Sequence, residues 1–373
     1  MNNKRKRSAK RIIFTVLGIL MLLILLVVAG GLIYANHILN KINKIDPELE
    51  YTLSSSEADA FLAGDSDLVT KDPNNTETHV KLDDLTFPTG ALNPSQSPTT
   101  PVDITPPADV YGDHLVNIML IGQDRKPGQG RQRSDSMILV SINKSNNTIT
   151  LTSFMRDQYV QIPGYKPNKL NAAYAYGGMK LLRKTLELNF GVRVDGMFEV
   201  DFGGFESVIT LLGGVDVTLT KEEAKYLNDL YEARFLDSPV VVGVNHLDAK
   251  QALVYARLRE IDTDYNRASR QRNVIMSLID AYKDLPLDQM LSLLNEILPL
   301  ITTDLSNKQI LNYALTCFPM LANAQIQTMR IPADGTFIGD LVEVRKGFYG
   351  WFQYNIDFDA NRQILWEIFR SRD

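Results

Sequence analysis

The chain has 373 residues, 45% of them apolar, with a formal net charge of −5 and a single cysteine. That length and apolar share are enough for a sizeable globular core, and the acidic balance excludes a general nucleic-acid binder, which carries a clustered basic face. Any polyanion site is therefore local, and the lone Cys317, set in LTCFPML, has no internal disulfide partner and reads as a small core residue.

Residues 1–11, MNNKRKRSAKR, form a basic stub. The next 24 residues, Ile12–Ala35, are apolar and uncharged, about 36 Å as a helix, which is long enough to span a bilayer. A cleaved secretory signal has a shorter apolar core of roughly 7 to 15 residues, though the Ala-Gly-Gly near the end of this run leaves cleavage as the alternative. The positive charge before the span predicts a cytoplasmic N-terminus with all later residues outside the cell membrane. Residues 36–110 are rich in Ser, Thr, Pro and Asp, as in FPTGALNPSQSPTTPVDITPPAD, and are expected to be an extracellular linker that holds a folded domain off the membrane. No second linker of this kind follows, so residues 111–373 are expected to fold as one domain.

Within that domain LVNIMLIG, SMILVSI and TITLTSF read as three opening strands. NAAYAYGGMKLLRKTLELNF has helical spacing, with Gly177 and Gly178 near its start or at a bend. MFEVDF reads as a strand, GGFESVITLLGG as a helix closed by glycine, VDVTL as a strand and DAKQALVYARLRE as a helix. Three further amphipathic segments, the strand QIQTMRI and a last helix near ANRQILWEIF complete an α/β pattern, in which helices cover both faces of a sheet.

Strand ends are where such folds place ligands. Asp124 follows the first strand and Asp135 precedes the second, and two carboxylates brought together by a Gly-rich loop can share one Mg²⁺ whose shell phosphate oxygens complete; loop aspartates that cap turns are the alternative. Arg156 and Asp157 end the third strand, either as part of a site or as an ion pair pinning a loop. Lys169 and Asn171 stand at an expected helix start, which favours an anion or is an ordinary cap. RLREIDTDYNRASRQR, Arg257–Arg272, holds five arginines and no lysine. Arg257 and Arg259 lie at a helix end, while Asp264, Arg267, Arg270 and Gln271 fit one side of the next helix, so several forked guanidiniums are placed to meet a pyrophosphate. Arg272 and Glu260 are left out of the site, with an exposed, salt-bridged helix face open as their alternative. The four histidines, His37, His79, His114 and His246, have no metal-ligand spacing, and no His, Ser or Cys arrangement points to a covalent intermediate.

The ordered set IGQDR, RSDSMILVSI, SFMRD, KLNAAYAYGG, VDFGGFESVITLLGGVDV, YARLRE and DYNRASRQR resembles the LytR-CpsA-Psr cell-wall glycopolymer ligases over essentially the whole chain after the linker. The resemblance implies an α-β-α layered domain with a central mixed sheet, anchored by one N-terminal transmembrane helix. It implies a phosphotransferase that moves a glycopolymer phosphate (teichoic acid, capsule or another wall polymer) from a polyprenyl-pyrophosphate carrier to a peptidoglycan hydroxyl, leaving polyprenyl phosphate. Carried onto this chain, Asp124 and Asp135 match the Mg²⁺ ligands; Arg156, Arg257, Arg259 and Arg267 match the arginines around the pyrophosphate; Asp264 and Gln271 match a supporting motif; and Arg133 falls on a motif position. The family's sheet and helices also enclose an apolar groove for the prenyl chain. Asp124 and Asp157 are the candidates for the group that takes the acceptor's proton. The basic loop RKPGQGRQRS departs from the pattern and leaves the glycan unassigned. The alternative functions are a pyrophosphatase or lipid-pyrophosphate binder, and an envelope-linked regulator of the transcriptional-attenuator kind; direct DNA reading conflicts with a domain held outside the cell.

Overall fold

The computed structural model describes residues 31, 33–46, 48–63, 68–69, 80–87, 104–123, 125, 130–283, 286–320 and 323–371. Nearly all of the expected span, Ile12–Ala35, lies outside these residues, and among them no helix is long and apolar enough to cross a membrane.

Three strands anchor the molecule: β2 (Leu115–Gln123), β3 (Ser134–Asn143) and β4 (Thr148–Phe154). They pair as an antiparallel meander, with Ile121 opposite Met137 and Ile138 opposite Ser153. β7 (Gly196–Asp201) runs parallel to β2, and β11 (Gln325–Ile331) runs parallel to β4. Two short strands, β10 (Thr302–Thr303) and β1 (Asn43–Lys44), extend the sheet beyond β7, giving the order β1-β10-β7-β2-β3-β4-β11. The sheet is mixed, and one of its ends gathers the C-termini of β2, β4, β7 and β11 with the start of β3.

Side chains alternate across the strands, so each strand supplies two cores. Met119, Ile121, Met137, Leu139 and Phe154 pack beneath α2 (Leu170–Phe190) and α9 (Phe358–Phe369), whose Leu182, Leu186, Phe190, Leu365 and Phe369 are fully buried. On the other face Ile138, Ile149 and Leu151 meet Ile275 and Met276 of α6 (Asp264–Lys283). Val116, Ile118 and Leu305 there meet Cys317 of α8 (Asn307–Cys317), the core position its sequence setting implies. A satellite core joins α3 (Phe202–Leu211), the hairpin of β8 (Val215–Leu219) and β9 (Gly243–Leu247), α4 (Lys221–Glu232) and α5 (Ala249–Arg257) through Ile209, Val217, Leu227, Leu247 and Tyr255.

The bend in α2 falls at Gly177 and Gly178; Gly178 has φ +62°, where an L side chain is strained. Of the tract expected to be linker, residues 36–110, the N-terminal part is built into the domain. Ile38 and Ile42 pack with Leu298, β1 pairs with β10, and α1 (Ser55–Ala63) places Ala58 in the main core. The apolar residues there are too sparse for a periodic signal, yet Ile38, Ile42 and Ala58 find partners far away in sequence.

Candidate functional site

Asp135 sits on β3 at the sheet end just described, where the antiparallel register brings it beside the residues that follow β4. Its Oδ1 accepts from Arg156 Nη1 at 2.8 Å and from Arg259 Nη2 at 3.4 Å, and its carbonyl accepts from Arg267 Nη2 at 3.5 Å. Arg267 reaches back one helical turn to Asp264 Oδ1 at 2.7 Å, and Arg259 Nε is 3.8 Å from the same oxygen. Arg156 Nε also lies 3.5 Å from Asp157, which Lys169 Nζ meets at 2.8 Å. Two guanidiniums therefore converge on the Asp135 carboxylate and a third on its backbone carbonyl, from three separate elements, and the flanking Asp264 and Asp157 hold them in place.

The two flanking acids are driven in opposite directions. Burial alone raises the Asp157 carboxyl, but Lys169 and Arg156 override it and hold the group below the usual carboxylate range. Asp264 is pushed up to about 6, by burial first and then by the charge of Asp157.

Not every expected residue joins this cluster. Lys169 turns inward to Asp157 and lies 4.8 Å over the Phe352 ring, so it braces the site from behind. Asn171 is buried, and its backbone N–H donates to Arg156 O at 3.2 Å, which ties the start of α2 to the arginine. Arg257 is exposed and stacks 4.2 Å over Phe202 at the start of α3, beside the end of β7. Arg133 packs 5.1 Å from the Phe61 ring. Arg270, expected among the phosphate ligands, is fully buried and donates to Glu223, Asp262 and Leu258 O; its fork joins α4, α5 and α6 and does not face Asp135. Gln271 donates to Ala256 O at 3.3 Å in the same seam. Arg272, left out of the site with an exposed face as its alternative, is buried against the sheet and donates to Ser153 Oγ at 2.7 Å. Glu260 is exposed, as expected. Asp124 lies outside the described residues, and among these no group of three or more His, Cys, Asp or Glu side chains forms a metal cluster. His114 bonds with Phe369 O, and His246 with Asp216 and Gly213 O, as scattered structural histidines do.

Fold and charge pattern together define an α/β protein with a cationic cluster at the end of a mixed sheet. The chain belongs to the LytR_cpsA_psr family, whose model matches residues 88–355. It is 37% identical over 172 residues to the regulatory protein MsrR of Staphylococcus aureus, covering 45% of this chain and 50% of MsrR. It is 34% identical over 178 residues to TagT of Bacillus subtilis, named a polyisoprenyl-teichoic acid–peptidoglycan teichoic acid transferase, covering 47% of this chain and 55% of TagT. These alignments span about half the length of either relative. A solved structure of TagT with bound octaprenyl pyrophosphate lipid superposes with a TM-score of 0.51 at 26% identity, covering 69% of this chain and 90% of that one.

Proposed function

We propose that this protein is a membrane-anchored phosphotransferase that moves a glycopolymer phosphate from a polyprenyl-pyrophosphate carrier to a peptidoglycan hydroxyl on the outer side of the cell membrane. The observation that carries the reading is the convergence of Arg156, Arg259 and Arg267 on Asp135. Forked donors gathered at one sheet end suit a pyrophosphate, whose charge is spread over many oxygens. TagT supports it as a relative named for such a transfer and solved with such a lipid. Anchoring by Ile12–Ala35 rests on the length and flanking charge of that run.

In this reading Arg156, Arg259 and Arg267 neutralise the pyrophosphate, and Arg257 reaches it from the β7 side. The prenyl chain runs along the sheet face under α6 and α8, where Leu120, Val140, Ile142 and Phe198 are only partly buried. The acceptor oxygen forms a bond to the sugar-proximal phosphorus as the bridging P–O bond breaks, and polyprenyl phosphate departs into the field of the arginines. Asp264, poised near 6, is a better acceptor for the hydroxyl proton than Asp157, which is sealed between Lys169 and Arg156. The described half of the Mg²⁺ site fits a hard cation: Asp135 is a quarter exposed, and both bonds to its carboxylate fall on Oδ1. Asp135 and Asp124 would hold the ion, which when bound supplies further neutralisation of phosphate oxygens.

The test is the full chain in detergent with a synthetic polyprenyl-pyrophosphoryl oligosaccharide, Mg²⁺ and isolated peptidoglycan. Glycan attached to polymer, lost with EDTA and in Arg257→Ala, is the expected result. Lipid phosphate released without attachment indicates a pyrophosphatase. Tight lipid binding without turnover indicates a sensor, the reading that MsrR's regulatory name favours.

A further inference from the structure

The loop that delivers Asp135 is gripped by a segment lying far earlier in the chain. Glu50 has a buried side chain, and its Oε1 accepts from Arg131 Nη1 at 3.2 Å. Arg131 also donates to Tyr51 O, and its Nε donates to Ala175 O at 3.3 Å. Two residues on, the Arg133 guanidinium lies over the ring of Phe61 in α1. Both arginines that frame Gln132 and lead into Ser134–Asp135 are thus held by residues 50–61.

The same segment is fixed to α2 at its bend. Lys180 N and Tyr176 O, which pair with each other in an unbroken helix, each bond to the segment across the kink: Lys180 N donates to Glu50 Oε2 at 3.2 Å, and Tyr176 O accepts from Leu53 N at 2.8 Å. The kink leaves room for only this carboxylate. A Cβ on Gly178 would stand 1.8 Å from Glu50 Oε1 and 2.6 Å from Arg131 Nη1. Tyr165 donates to Leu53 O, and Phe61 packs edge-on against Tyr176 at 6.1 Å. A passive spacer has no use for a buried carboxylate that fills a break in a core helix and pairs with an arginine four residues from Asp135.

We propose that Glu50 and Phe61 are positioning residues for the site: by gripping Arg131 and Arg133 they set the backbone that aims Asp135 at the pyrophosphate. The segment between membrane and catalytic core is then a working wall of the site. This rests on the reading of the Asp135 cluster as a lipid-pyrophosphate site, so the test has one readout that does not depend on that reading.

Full-chain Glu50→Gln, Arg131→Gln, the double variant and Phe61→Leu are compared with wild type by hydrogen exchange and by steady-state transfer; Lys166→Ala, which removes an exposed pair with Asp59, is the control. Glu50→Gln keeps the side chain's size and an acceptor for Lys180 N while removing the charge. Amides of residues 130–137 are expected to exchange about tenfold faster in Glu50→Gln and Phe61→Leu, with the central strands unchanged. kcat is expected to fall about tenfold with KM for the lipid within about twofold, because aim and not affinity is lost. The double variant should lose no more than either single change, because Glu50 acts through Arg131. Unchanged exchange at residues 130–137, or losses that multiply in the double variant, overturns the proposal. Wild-type protein that binds the lipid without transferring it would instead overturn the functional reading, and the exchange experiment would still decide the role of Glu50.

Discussion

Asp157 and Asp264 flank the same arginines yet titrate apart, because each meets a different balance of burial and charge. At Asp157 two cations within 3.5 Å override burial, whereas at Asp264 burial and the negative charge of Asp157 outweigh the arginines beside it. A carboxyl raised in the folded state stabilises it only while protonated, so this contribution is present below the unfolded value near 3.8 and is lost as pH rises through about 6. Asp264→Asn should therefore match wild type in thermal stability at pH 4, where both side chains are neutral. Above pH 6 it should be more stable by about 1–2 kcal/mol, the shift being discounted for the charge lost opposite Arg267. Melting curves of the ligand-free protein from pH 4 to 8 check this, and a variant destabilised throughout that range would show that the Arg267 pair outweighs the burial penalty. Its transfer activity should fall nonetheless. Arg156→Ala removes a guanidinium that bonds both Asp135 and Asp157, and it should lower transfer by about 100-fold or more with cooperative melting retained. A loss of less than tenfold, measured in the peptidoglycan assay, would take Arg156 out of the site.

Helix α6 shows how far residue type and spacing carry. Its arginine excess pointed to one charged face, yet Arg267 turns to Asp264 and Asp135 while Arg270 and Arg272 turn elsewhere, since a helical wheel gives angular position but not which neighbour each side of the helix meets. Arg270 faces α4 and α5, where two carboxylates accept from it; Arg272 faces the sheet, where the Ser153 hydroxyl accepts from it. Burial, followed by the charge of Arg330, pushes the Arg272 guanidinium down from its ordinary value. The two positions should respond oppositely to the same change. Arg270→Met leaves Glu223 and Asp262 facing a buried void of charge and should cost about 3–5 kcal/mol. Arg272→Met strands only a hydroxyl and removes a desolvated cation, so its cost should stay within about 1 kcal/mol. Urea unfolding of both variants decides the matter, and equal losses would mean that Arg272 has a compensating partner. Most of the regular elements were legible because their patterns are local: the strands of the meander, the glycine-closed helix and the amphipathic helices all show them. Three more elements carry local signals of the same kind. Thr220 and Glu223 form the capping box that opens α4, and alternation around Lys346–Gly347 marks the hairpin of β12 (Ile338–Arg345) and β13 (Phe348–Tyr354).

At the scale of the whole molecule, the boundary drawn from composition and the boundary drawn by packing disagree. Composition places the domain at residues 111–373, since Ser, Asp and Pro dominate what comes before. Packing brings part of the preceding tract into the domain: Ile38, Ile42 and Ala58 are buried, and β1 closes one edge of the sheet. Burying an Ile side chain contributes about 1.5–3 kcal/mol, so losing both, together with the half-buried Leu53 and Phe61, costs on the order of 5 kcal/mol. That is a large share of the roughly 5–15 kcal/mol that holds a domain folded. A chain beginning at residue 111 should melt about 10 °C or more below one beginning at residue 36, or fail to fold, and it should lack the Glu50 clasp on Arg131. If the two chains melt together, the early segment lies on the surface without supporting it, and the site would have to be rebuilt from residues after 111 alone. If the shorter chain melts early, any assay run on it measures a protein with one wall of its site removed, and inactivity there would say nothing against the proposed transfer.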